Sequence, residues 1–198
     1  MKLCVGILFS VLCTVVSLAQ NPEWAPKHLE ELSVGPHRIP KQLLEILKSD
    51  AQTDTGGEPC SGPPDLEHRS SLRFVRLGLN GRTQVIVQGV GPCQCSPTGN
   101  CSFWVYEKSP SGYHPILENP GSVQVFGIEG TRSHGYRDIV TGMHGSAFDT
   151  DLTVFKFDGE RYQPRECWSM SYPRTVDPKS RRVVGKATLE QRDCYHSE

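Results

Sequence analysis

The sequence predicts a mainly β fold: a single antiparallel β-sandwich or small barrel-like domain, preceded by a short N-terminal helix and stapled by disulfides. Three observations carry this. From Leu72 onward, β-prone runs recur at roughly ten-residue spacing with turn residues between them. No long helical pattern separates these runs, which disfavours a parallel α/β fold. Six cysteines follow the apolar leader, an even number suited to pairing in an oxidising compartment.

The chain has 198 residues, enough for one domain and a small appendage. Lys and Arg total 21 against 22 Asp and Glu, so a net charge of −1 gives no basic field for nucleic acid. Hydrophobic residues at 36% and charged residues at 22% exclude a multi-pass membrane protein, a coiled coil and a mostly disordered chain.

Residues 1–19 read as a signal peptide. Lys2 precedes an apolar run from Leu3 to Val16, and Ser17-Leu18-Ala19 offers small residues for cleavage before Gln20. No cluster of Lys or Arg follows to stop transfer. The expectation is export to the periplasm or the extracellular space, with no membrane attachment after cleavage.

Cleavage leaves Cys60, Cys93, Cys95, Cys101, Cys167 and Cys194 as candidates for up to three bridges, with many connectivities open. Cys95 with Cys101 would close CSPTGNC, where Pro97 and Gly99 suit a tight turn. The other four remain for longer bridges. A zinc site of Cys93, Cys95 and Cys101 is the competing chemistry, although export favours oxidation.

Residues 20–65 form an N-terminal preface. Leu43, Leu44, Ile46 and Leu47 share one side of a short helix that Pro40 would start. The stretch SDAQTDTGGEPCSGPPD reads as a Gly/Pro-rich linker tied down at Cys60.

Residues 66–172 form the antiparallel β domain. LRFVRLGL, Asn80-Gly81 and RTQVIVQGVG predict a hairpin with a type I′ turn, since both turn residues tolerate φ > 0. FWVYEKSPSGYHPIL reads as strand, turn, strand, and SVQVFGIEG, RDIVTGM and LTVFKFDGERYQP complete the series. The segments Phe103–Pro115 and Leu152–Pro164 look alike, each an aromatic strand, a Gly turn, then Tyr and Pro, and read as similar hairpins of one sheet. Residues 173–198 make a modestly basic C-terminal arm or extra strand pinned by Cys194.

The best catalytic material lies between His134 and Asp151. His144 with Ser146, or with a carboxylate such as Asp138, would give a nucleophile and base for a small secreted hydrolase. Met143-His144-Gly145-Ser146-Ala147 lacks the G-x-S-x-G elbow, however, and Gly142, Gly145 and Ser146 equally suit a bend between strands. Asp149-Thr150-Asp151 falls short of the six to eight oxygens that calcium takes. No catalytic residue, metal or cofactor is therefore expected. Asn100-Cys101-Ser102 matches the N-glycosylation sequon. Trp168, next to Cys167, is expected to pack on a disulfide.

The aromatic residues supply the binding candidates. Phe103 and Val105 alternate with Trp104 and Tyr106, so one pair faces the core. If Trp104, Tyr106, Tyr113 and Tyr162 share the outer face, they form a rigid platform for a protein or glycan.

The block CQCSPTGNCSFWVYEK, with YRDIVTGMHGSAFDTDLTVFKFDGERYQPREC after it, resembles a pattern of small exported bacterial proteins to which no activity attaches. RDIVTGMHGS and DLTVFKFDGERY are similar to one blade of an FG-GAP-type propeller repeat, without its acidic calcium loop and without further blades. Exported β-domains that inhibit lysozymes offer a third resemblance through a Ser-Gly-x-x-Tyr motif. Here Ser111-Gly112 is followed at once by Tyr113, and Gly159 to Tyr162 keeps only the Gly-to-Tyr spacing. Together these readings predict an exported, non-catalytic binding or inhibitory module, with the hydrolase as the alternative.

Overall fold

The computed structural model describes residues 30–31, 39–54, 70–89, 94–117, 123–175, 177–180 and 184–194. The expected signal peptide, Cys60 and Cys93 lie outside the described residues. The fold is an open sandwich of two antiparallel sheets with one helix, not a closed barrel. Strands β2 (Ser70–Val75), β3 (Gln84–Gly89), β4 (Phe103–Ser109) and β5 (Gly112–Leu117) form a four-stranded meander. The larger sheet runs in the order β1 (Glu30–Glu31), β6 (Val125–Ser133), β7 (Tyr136–His144), β8 (Asp149–Phe157), β9 (Tyr162–Ser171) and β10 (Thr188–Arg192). The two look-alike segments therefore belong to different sheets, β4–β5 in the smaller and β8–β9 in the larger.

Side-chain alternation along β4 organises the layers. Phe103 and Val105 point into the core between the sheets, where Phe126, Ile139 and Phe155 meet them from the larger sheet. Phe103 and Phe126 lie with ring centroids 4.9 Å apart. Trp104 and Tyr106 point to the other side, and helix α1 (Lys41–Asp54) covers them. Leu43 and Leu47, one turn apart on the helix, are fully buried against them. Burying such a leucine contributes about 1.5–3 kcal/mol.

The first helical hydrogen bond runs from Leu44 N–H to Pro40 O, so Pro40 stands just before the helix rather than within its first turn. The helix also extends through SDAQTD, residues assigned above to the linker. Those residues include no Gly or Pro to break it. On the far face of the larger sheet, Val140, Leu152, Val154 and Met170 form a third cluster with Leu189 and Trp168 packed against them. Trp168 packs against this cluster from β9, on the opposite side of the strand from its neighbour Cys167.

The expected Asn80-Gly81 hairpin turn is replaced by a longer loop between β2 and β3. Gly81 takes φ 73°, but Asn80 does not take a positive φ. Residues 77–79 leave their own sheet and pair with the start of β7, with Gly78 bridged to Tyr136 and Leu79 N–H donating to Gly135 O. The two-residue turn with both φ positive sits instead at His134 (φ 49°) and Gly135 (φ 82°), between β6 and β7. His134 Nδ1 lies 2.8 Å from Phe157 O, which makes that ring nitrogen the donor.

Of the expected disulfides, Cys95–Cys101 closes the CSPTGNC loop. Cys167–Cys194 fastens the C-terminal segment, which does form an extra strand, β10, against β9.

Candidate functional site

The four aromatic candidates do not form an exposed platform. Trp104, Tyr106 and Tyr162 are only 2%, 0% and 4% exposed, and Tyr113 packs at the edge of the helix-covered cluster. Two layers account for this. The helix takes the outer face of β4, while Tyr162 turns into the inter-sheet core and donates to Arg137 O at 2.6 Å.

The hydrolase candidates are also held in other roles. Asp138 is buried, and its two oxygens accept hydrogen bonds from Thr131 and Ser133. His144 ends β7, while Ser146 lies beyond it in the bend 145–148, so the two do not share a strand face. Ser146 Oγ donates to Asp149 Oδ2 at 2.7 Å. Ser171 Oγ donates to Oδ1 of the same carboxylate. These bonds, that from Ser146 first, hold the Asp149 carboxyl below its ordinary value, which makes it a weak base for Ser146. Among the described residues no hydrogen bond joins His144 to Ser146, and no group of three or more His, Cys, Asp or Glu is placed to hold a metal.

The most connected polar site was not anticipated from the sequence. Glu107 follows Phe103 and Val105 in the inward alternation of β4, yet it is a carboxylate and 2% exposed. Tyr136 from the opposite sheet donates to Oε2 at 2.5 Å, and Gln84 Nε2 donates to the same oxygen at 2.7 Å. Arg82 Nη1 lies 2.7 Å from Oε1, and Asn80 Nδ2 adds a longer contact at 3.4 Å. His114 Nε2 stands 3.6 Å from Oε1 at the exposed edge. Burial pushes the Glu107 carboxyl up, but the hydrogen bonds from Tyr136, Arg82, Gln84 and Asn80 outweigh it and hold it below 4.5. Burial and the Glu107 charge push the Tyr136 phenol from 10.0 to about 12. This carboxylate therefore stays charged and the phenol stays a donor. Such a pair is suited to fixing geometry rather than to exchanging protons.

β4 and β7 each run from this cluster to the other end of the sandwich, where a second feature stands. Ser96, Pro97, Thr98 and Gly99 are all exposed between the bridged Cys95 and Cys101. Gly99 N–H donates to Ser96 O, Ser96 N–H donates to Asn100 O, and Gly99 takes φ 84°, so the loop is a closed turn. Asn100 is 6% exposed and acts as a two-pronged clamp. Its Oδ1 accepts His144 N–H at 2.8 Å, and its Nδ2 donates to His144 O at 2.8 Å and to Thr98 Oγ1 at 3.0 Å. The clamp joins the loop to β7 beside Met143, which is 39% exposed, and to the bend that follows. The sequence signal for it was the Asn-Cys-Ser triplet, which reads as a glycan acceptor until the fold commits the amide.

No helix among the described residues is long and apolar enough to cross a membrane. No family model, curated protein or solved structure matches this chain.

Proposed function

We propose that the protein is an exported, non-catalytic binding or inhibitory module, and that its contact surface is the 95–101 loop with the adjoining rim at Met143 and residues 145–147. The observation that carries this reading is the loop itself: it is exposed, closed by a disulfide and clamped by Asn100 to the His144 backbone. A segment held in one conformation before binding loses little entropy when it binds. A protein partner suits this surface better than a glycan, because Trp104, Tyr106 and Tyr162, the rings that could have formed a sugar-stacking platform, are buried. The hydrolase reading has less support, since the Ser146 proton is directed to a weak base and His144 is engaged through its backbone.

The test compares Thr98→Arg with His144→Ala in the exported protein. Partner binding or inhibition, measured against a panel of secreted hydrolases, is expected to be lost in Thr98→Arg and kept in His144→Ala. Turnover of ester or peptide substrates that vanishes in His144→Ala would overturn the binding reading in favour of the enzyme.

A further inference from the structure

The two described disulfides are built differently. Cys95 and Cys101 are directly opposed partners on an antiparallel bridge, six positions apart in sequence with Cα atoms 3.9 Å apart. Hydrogen bonds bracket the bridge on both sides: Ser96 N–H to Asn100 O and Ser102 N–H to Gln94 O, each at 2.7 Å. Cys101 is further paired with Val123 through two backbone bonds of 2.9 and 2.7 Å. These contacts hold the two cysteines face to face whether or not the sulfurs are joined. Both cysteines are half-buried; Cys101 Sγ lies on the side of the exposed loop, 3.4 Å from Gly99 O, whereas Cys95 Sγ sits near Gly89 O at the end of buried β3.

In the second bridge one cysteine is buried and the other half-buried. Cys167 is 7% exposed, lies inside β9 and is flanked by Thr153 on β8 and Arg192 on β10. Its partner Cys194 is 27 positions away, so this bridge constrains a much longer loop of the unfolded chain.

We propose that Cys95–Cys101 is a reversible thiol–disulfide exchange site that opens and recloses while the protein stays folded, with an external dithiol as co-reactant. A thiolate of the dithiol attacks Cys101 Sγ, the sulfur beside the exposed loop. The new S–S bond forms as the Cys95–Cys101 bond breaks, and the electron pair leaves on Cys95, which takes up a proton. The second thiol of the reagent then attacks its own sulfur in the mixed disulfide and expels Cys101 as a thiolate. The reagent ends as a disulfide and the protein as two thiols, so two electrons have passed. Reoxidation reverses these steps because the bracketing hydrogen bonds keep the thiols opposed.

The experiment treats the folded, fully oxidised protein with limiting dithiothreitol, quenches with an alkylating reagent and reads each cysteine by fragment mass. Cys95 and Cys101 should be alkylated at least about tenfold faster than Cys167 and Cys194, as expected where access sets the rate. That rate should not change in denaturant too dilute to unfold the protein. Replacing the reductant with oxidised glutathione as the electron acceptor before the quench should restore the bridge, and reduced glutathione used in place of the dithiol should leave its adduct on Cys101 rather than Cys95. Equal or slower labelling of Cys95 and Cys101, or labelling that rises in step with global unfolding, would overturn the proposal.

Discussion

Tyr136, at the start of β7, donates its phenolic hydrogen to Glu107 Oε2 on β4 and so joins the two sheets across the gap between them. The same ring stacks on Phe157, with centroids 3.9 Å apart. Removing only the hydroxyl, in Tyr136→Phe, keeps the stacking and leaves a buried carboxylate short of one donor. Because a hydrogen bond to a charged group is worth about 1.5–3 kcal/mol, urea titration should show a loss of that size. A change within error would mean that the bond does not join the sheets.

The same pair contributes to both ends of the pH–stability profile. Glu107 has a lowered folded value, so its contribution is complete above its ordinary 4.5 and is lost as pH falls through the lower folded value. Tyr136 has a raised one, so its contribution is complete below 10.0 and is lost as pH rises towards about 12. Thermal melts across pH should show a shallower acid limb in Glu107→Gln and a shallower alkaline limb in Tyr136→Phe. Neither limb should become flat. Asp149, Asp158 and Asp177 are also lowered, and Tyr162 is also raised.

His134 occupies the left-handed region at φ 49°. That conformation costs a non-glycine residue about 1–2 kcal/mol, and a β-branched one more. His134→Val should therefore destabilise the hairpin through both strain and loss of the bond to Phe157 O. His134→Gly should lose the bond but relieve the strain, and should unfold at a higher denaturant concentration than His134→Val. The reverse order would show that the ring contact outweighs the backbone.

Leu47→Ala tests whether the helix is what covers Trp104 and Tyr106. A buried Leu→Ala change costs about 2–5 kcal/mol. As the helix loosens, tryptophan fluorescence should shift to longer wavelength well before the sheets melt. A single coincident transition would show that helix and sheets unfold as one unit.

Asn100 is committed on both sides of its amide. Expressed in a glycosylating host, the folded secreted protein should carry no oligosaccharide at Asn100, by intact mass. Asn100→Ala should raise amide exchange at His144 and at Ser96, Thr98 and Gly99 without changing it at Glu107. A glycan on folded protein would show that the clamp is dispensable.

Much of this architecture was legible in the sequence because period-two alternation and turn chemistry are local. FWVYEK, Pro110-Ser111 and GYHPIL gave the β4–β5 hairpin directly, and CSPTGNC announced its own disulfide. The failures were non-local. Asn80-Gly81 has the composition of a hairpin turn, but pairing of residues 77–79 with the opposite sheet overrides that preference. Trp104 and Tyr106 have outward parity, and nothing local tells an outer face under a helix from one in water. Glu107 was readable only as a parity anomaly, an acid where the inward series Phe103, Val105 called for an apolar residue. Its partners come from residues 80, 82, 84 and 136, which no short-range pattern links.

The proposed contact surface lies at the 95–101 end of the sandwich. A photo-crosslinking residue placed at Thr98, and separately at Leu79, distinguishes this end from the other. Leu79 is 74% exposed beside the Glu107 cluster at the opposite end. The prediction is one discrete adduct from position 98 in the mixture recovered from the compartment the protein occupies, absent from position 79 and competed away by unlabelled protein. Adducts from position 79 alone, or from neither position, would contradict the claim.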